Sequence, residues 1–139
     1  MNVKDKVVII TGGAGGLGFE MARLLCSNGA VVYIFDIDNE KGKEAEAELT
    51  SANGRAHFMK VDITKEEEWD AAISKIVEDD KRVDVLVNNA GINIRKPIEE
   101  MTIDEWSKMM LVNTGSVFLG SKYVIPVMRR QGGGSIINI

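Results

Sequence analysis

Six residues, KVVIIT at positions 6–11, run straight into Gly12-Gly13-Ala14-Gly15-Gly16-Leu17-Gly18, and this junction constrains the chain more than any other stretch. The first segment is rich in β-branched residues and almost wholly apolar, so it predicts a strand buried on both faces. The second is mostly glycine, which frees the backbone to turn sharply and to approach a ligand closely. Residues 16–28 then place Leu17, Met21, Leu24 and Leu25 on one side of a helix, the expected stripe against a sheet. A strand, a tight glycine turn and a helix in that order suit a phosphate group. The start of the helix offers free N–H groups and the positive end of its dipole to an anion. A merely flexible turn is the bland alternative, and the strand–turn–helix setting counts against it. Gly12, Gly16, Leu17 and Gly18 are therefore candidate cofactor-binding residues.

The same alternation continues along the chain. Residues 30–35 (AVVYIF) predict a second buried strand, closed by Asp36. Residues 39–52 predict a charged, mostly solvated helix ended by Asn53-Gly54, and residues 56–61 a third strand. Thr64 and Glu67 have capping-box spacing before a helix whose apolar stripe is Trp69, Ala72, Ile73, Ile76 and Val77. Residues 83–87 predict a fourth strand, followed at once by Asn88-Asn89-Ala90-Gly91. After a loop over 92–101, Thr102 and Glu105 again have capping-box spacing. The helical region they open runs to about Arg130, with bends expected at Gly115 and Pro126. Three glycines at 132–134 precede a fifth strand over 135–139 (SIINI). Strands alternating with helices specify a parallel sheet covered on both faces. The fold class is α/β, a doubly wound sheet in the order 3-2-1-4-5, expected as one domain over residues 1–139 that breaks off after the fifth strand.

Asp36 narrows the ligand. It ends the second strand about 20 positions beyond the glycine turn, where an acidic residue hydrogen-bonds the adenosine ribose hydroxyls of a dinucleotide. Its charge would repel a 2′-phosphate, and Gly13, Ala14, Gly15 and Ile37 supply no cation to offset it, so the expected cofactor is NAD. The competing reading is that Asp36 only starts a turn or caps the following helix.

Other chemistries find little support. The net charge of −4 gives no basic field for nucleic acid, and no apolar run approaches the length that crosses a bilayer. The expected location is the cytoplasm. One cysteine, Cys26, and one histidine, His57, make no zinc site, and Cys26 is expected to be buried and inert. Trp69 and Trp106 are expected to serve as core or interface residues. A flavodoxin-like or response-regulator domain suits the glycine turn and Asp36 less well than a dinucleotide-binding one.

These residues resemble the short-chain dehydrogenases/reductases. Thr11 to Gly18 fits both T-G-x-x-x-G-x-G and T-G-x-x-G-x-x-G, the patterns of two branches of that superfamily. The tetrapeptide Asn88-Asn89-Ala90-Gly91 is similar to that of the compact branch, which includes oxoacyl-carrier-protein reductases and many alcohol and polyol dehydrogenases. The resemblance implies hydride transfer between NAD(H) and a small alcohol or carbonyl substrate, by a protein that is commonly a homo-oligomer. It implies adenine contacts at Asp62 and Ile63, a wall for the adenine-side ribose at Asn89, Ala90 and Gly91, and a catalytic asparagine at Asn113. Local helix back-bonding by Asn113 is the structural alternative.

The family's chemistry also needs a serine beyond the fifth strand and a Tyr-x-x-x-Lys pair. Neither Tyr33 nor Tyr123 has a lysine four residues on, and Ser135 falls at the wrong end of its strand. The 139 residues are accordingly expected to be the front portion of a longer dehydrogenase, inactive alone. The alternative is a catalytically inactive nucleotide-binding or scaffold module.

Overall fold

The computed structural model describes residues 2–139. Its elements are β1 (Val7–Thr11), α1 (Gly16–Ser27), β2 (Val31–Asp36), α2 (Asn39–Ser51), β3 (Arg55–Lys60), α3 (Glu66–Asp80), β4 (Val85–Asn88), α4 (Ile103–Met110), α5 (Ser116–Arg130) and β5 (Ser135–Asn138). The sheet runs β3-β2-β1-β4-β5 and every pair is parallel, the order expected from the alternation of patterns.

Period-two packing sorts the core into two layers. Val7, Ile9, Val31, Tyr33 and Phe35 face α3 and α5, where Trp69, Ile76, Val124 and Met128 join them. Val8, Ile10, Val32 and Ile34 face the other way, toward Ala22 and Cys26 of α1 and Ala45 and Leu49 of α2. Burial on both faces explains why β1 and β2 are unbroken apolar runs. Trp69 is buried and donates from its indole to the Ile63 carbonyl at 2.9 Å. Cys26 is buried too, its Sγ 3.7 Å from the Arg55 carbonyl oxygen, and burial pushes its thiol up.

The stops fall where the turn residues stand. Gly29, Asn53 and Lys81 take positive φ just beyond α1, α2 and α3. The capping box at Thr102 and Glu105 is present in both directions. The helical region it opens is interrupted by a π-helical turn, Leu111–Gly115, before α5 carries on through Pro126.

Two expectations fail. The inward side of α1 is Gly18, Ala22 and Cys26, with Met21 and Leu25 at its flanks, whereas Leu17 and Leu24 are 58% and 63% exposed. Small residues win that side because the helix lies close against the strands, too close for leucine. Thr64 does not cap α3, whose N-cap is Lys65 with no side-chain bond. The Thr64 hydroxyl is drawn back to Asp62 instead, at 2.6 Å. A turn that competes for the hydroxyl overrides the capping pattern.

Candidate functional site

Parallel strands deliver their last residues to one edge of the sheet, and in open α/β folds ligands bind there. At that edge a cleft of about 280 Å³ is lined by Gly12, Phe35, Asp36, Ile37, Val61, Ile63, Asn89, Ala90, Gly91 and Ile92. Six residues chosen from the sequence meet in it: Gly12, Asp36, Ile63, Asn89, Ala90 and Gly91.

Thr11 ties the cleft together. Its buried hydroxyl oxygen accepts the N–H groups of Asn89 and Ala90, both at 3.0 Å. The Asn89 amide donates back to the carbonyls of Thr11 and Gly12 at 3.0 and 3.2 Å. The end of β1 and the segment after β4 are thereby locked to each other. Thr11 escaped the sequence reading as a site residue, although its place immediately before the glycines is the signal that could have found it. Asn88 acts one layer away, its amide donating to Asn138 across β4 and β5 at 2.9 Å.

The glycine turn divides its labour. Gly12 has φ +63°, and a Cβ there would lie 3.0 Å from the Ala90 Cα. Gly16 has φ +53° and open space around it, at the exposed N-terminus of α1, whose first turn carries no acidic side chain. Leu17 stands beside it, exposed, outside the cleft lining. Gly18 is buried against the chain's own backbone, so its missing side chain serves strand–helix packing rather than room for a ligand.

Asp36 is held by backbone on both oxygens. The Ala14 N–H donates to Oδ2 at 3.2 Å and the Asp38 N–H to Oδ1 at 3.1 Å. It does open a turn, while the helix cap of α2 is Asp38, which accepts from the Lys41 N–H. Each Asp36 oxygen keeps further acceptor capacity, and the residue lines the cleft. Asp62 lies outside the cleft lining and accepts from the Thr64 N–H and hydroxyl at 3.0 and 2.6 Å. The Thr64 hydroxyl, foremost, holds the Asp62 carboxyl below the usual range.

Asn113 sits in the π-helical turn and spans to the rim of the cleft. Its Oδ1 accepts the Ile92 N–H at 2.8 Å and its Nδ2 donates to the Ile92 carbonyl at 2.9 Å. Both ends of the amide are used on another segment, so back-bonding within the helix is not its role. Tyr33 and Tyr123 point elsewhere, donating to Asp80 at 2.6 Å and Glu66 at 3.0 Å, and neither lines the cleft. Ser135 pairs with Val85 at the opposite edge of the sheet. Among the described residues no helix is long and apolar enough to cross a membrane, and no cluster of three or more His, Cys, Asp or Glu could hold a metal ion.

The family model for short chain dehydrogenases matches residues 6–139. The chain belongs to that family. This short-chain dehydrogenase chain is 43% identical over 137 residues to a cyclopentanol dehydrogenase of Comamonas testosteroni, covering 99% of this chain and 55% of the relative. It is 42% identical over 134 residues to a 2,5-dichloro-2,5-cyclohexadiene-1,4-diol dehydrogenase of Sphingobium indicum, covering 96% of this chain and 54% of the relative. Among solved structures, a metagenomic short-chain oxidoreductase in complex with NADP superposes with a TM-score of 0.93 at 32% identity, over 99% of this chain and 63% of that one. The short-chain dehydrogenase chain thus spans about half the length of the curated relatives it matches.

Proposed function

We propose that these residues form the cofactor-binding portion of an NAD(H)-dependent oxidoreductase that interconverts an alcohol and a carbonyl compound. The observation that carries the reading is Asp36, fixed by two backbone N–H groups at the wall of the cleft with acceptor capacity left for a diol. At about 280 Å³ the cleft is slightly smaller than the ~300–1,000 Å³ of pockets that enclose a whole drug-sized ligand. It therefore suits the adenosine end of a dinucleotide, with the remainder lying past the glycine turn.

The residues present fit that group. Gly12 and Gly16 leave a turn free of side chains, and the N-terminus of α1 offers an anion its N–H groups with no carboxylate competing. Leu17 shares that first turn, and Gly18 lets the helix seat closely. Asp36 accepts from the ribose hydroxyls, and Ile63, Asn89, Ala90 and Gly91 wall the nucleoside. Asp62, just outside the cleft lining, keeps one carboxylate oxygen free of Thr64 for an adenine contact. Asn113 fixes the rim through Ile92, and the family resemblance gives it a part in the proton relay. When bound, NAD(H) supplies the hydride acceptor or donor.

The substrate is a small secondary alcohol or its ketone. The relatives named for cyclopentanol, a cyclohexadiene diol and trans-4-hydroxycyclohexanecarboxylate favour a hydroxyl on a ring. Exposed Ile98, Ile103, Trp106, Leu111, Phe118 and Ile125 along the α4–α5 region support a homo-oligomer, and a cytoplasmic setting suits the cofactor. One observation favours a second reading, nucleotide binding without turnover, for a polypeptide of these residues alone: both tyrosines are committed away from the cleft.

Calorimetric titration with NADH and NADPH tests the cofactor, and NADH is expected to bind more tightly. Asp36→Ala should weaken NADH by ten-fold or more, since losing charge-assisted hydrogen bonds costs about 1.5–3 kcal/mol. Equal affinities in the unmutated chain would refute the role given to Asp36. Turnover of cyclic secondary alcohols by a polypeptide of residues 1–139 would show that these residues include an acid/base group of their own.

A further inference from the structure

Asp36 and Lys60 stand opposite each other in the register of β2 and β3, the last residues of both strands. Adjacent strands lie ~4.8 Å apart, and paired positions send their side chains to the same face. That face is the α1–α2 side, since Val32 and Ile34 precede Asp36 there, and Ala56 and Phe58 precede Lys60. Lys60 is exposed and, among the described residues, has no carboxylate within ion-pair distance. Lys41, the other cation near the glycine turn, is paired with Asp38 at 3.6 Å and borders a second cleft with Ala14, Gly15, Glu44 and Glu48, so carboxylates accompany it where none is paired with Lys60.

We propose that Lys60 is a second determinant of cofactor choice: a cation beside Asp36 that would receive the 2′-phosphate of NADP(H). The inference rests on reading the cleft as an adenosine site. Taken singly, the residues that follow Asp36 and fill the glycine turn carry no positive charge, so the sequence suggests discrimination with no counterweight. The sheet register supplies that counterweight from a strand remote in sequence. Discrimination against the phosphate then rests on the Asp36 carboxylate alone. Removing it leaves Lys60, the unpaired cation opposite Asp36 in the sheet register, to attract the phosphate, and the preference inverts instead of merely fading. A lysine on an edge strand also blunts strand-to-strand aggregation, but any charged residue does that. The two roles are therefore separable.

The test is calorimetry with NADH, NADPH, ADP and 2′,5′-ADP on the unmutated chain, Asp36→Ala, and Asp36→Ala combined with Lys60→Ala, Lys60→Arg or Lys60→Glu. In the Asp36→Ala background NADPH and 2′,5′-ADP should overtake their unphosphorylated counterparts. Lys60→Ala should cost the phosphorylated ligands roughly three- to ten-fold and spare the others. Lys60→Arg should retain the preference, and Lys60→Glu, which keeps a charge on the edge strand, should abolish it. The preference should also weaken with added salt, as an exposed ion pair does. Equal losses for both ligand classes, or no loss from Lys60→Ala, overturn the proposal while leaving the adenosine site intact. Failure of the unmutated chain to bind either NADH or ADP overturns the adenosine reading and this proposal with it. Circular dichroism on each variant excludes misfolding as the cause.

Discussion

A Cβ on Gly18 would lie 2.2 Å from the carbonyl oxygen of Gly12 and 2.7 Å from the Asn89 amide nitrogen. Both contacts belong to the lock between β1 and the segment after β4, so even alanine at this position forces backbone apart. Gly18→Ala should lower stability by about 1–3 kcal/mol, the usual cost of overpacking, and cofactor affinity should fall as a consequence. Gly16→Ala meets no atoms and pays only for its positive φ, about 1 kcal/mol. Urea unfolding of the two variants should rank them in that order, and a Gly18→Ala chain as stable as the parent contradicts the packing role.

Asn113→Asp separates the two bonds to Ile92. The acceptor for the Ile92 N–H survives, while the donor to its carbonyl is replaced by an oxygen that repels it. Each lost hydrogen bond is worth ~0.5–1.5 kcal/mol, so the cleft rim should loosen with little change in global stability. Faster hydrogen exchange at the amides of residues 92–94, in Asn113→Asp and more so in Asn113→Ala, is the expected reading. Unaltered exchange there means that the rim is held by something else.

Glu105 carries a pH dependence. The Thr102 N–H first, then Lys96 and the Thr102 hydroxyl, hold its carboxyl down to about 2. A folded-state value below the unfolded one gives stability that is complete above the ordinary value of 4.5 and is lost as pH falls from there toward 2. The Tm advantage of the parent over Glu105→Gln should therefore be full near neutrality and shrink through that window. An advantage that grew on acidification would reverse the assignment.

Asp84 gathers hydrogen bonds from three residues at the far edge of the sheet, with its side chain 9% exposed. Burial works against its charge, but Arg82, the Val7 N–H and Lys6 outweigh burial and hold the carboxyl below the usual range. Arg82 and Lys6 are themselves half exposed and regain water when Asp84 is removed, whereas the Val7 N–H is buried and does not. Asp84→Ala should thus cost about 1–3 kcal/mol, the penalty of one orphaned buried donor, rather than the ~3–5 kcal/mol of a broken buried ion pair. Denaturant titration distinguishes the two ranges.

Strand order and most element ends were legible because each rests on local chemistry: unbroken apolar runs for β1 and β2, positive φ at Gly29 and Asn53, a capping box at Thr102 and Glu105. The cleft was legible wherever a motif fixed its residues next to a strand end, as with Gly12, Asp36 and Asn89. What escaped depends on partners distant in the chain. Leu17 and Leu24 of α1 look like part of a core stripe until the strands beneath prove close enough to put Gly18, Ala22 and Cys26 on the inward side. Thr64 has capping geometry in sequence and a better acceptor in Asp62. Thr11, Lys60 and the grip of Asn113 on Ile92 acquire meaning only once the strands are in register.

Cys26 gives the chain an internal clock. As the only sulfhydryl, buried in the last turn of α1 beside the Arg55 carbonyl and further slowed by its raised pKa, it should react with an alkylating reagent when α1 lifts from the sheet. The opposite end of that helix is the glycine turn, so a nucleotide seated there would hold the lid down. The alkylation half-life of a single atom then counts openings of the site from its far side, with no label added and no residue of the cleft disturbed.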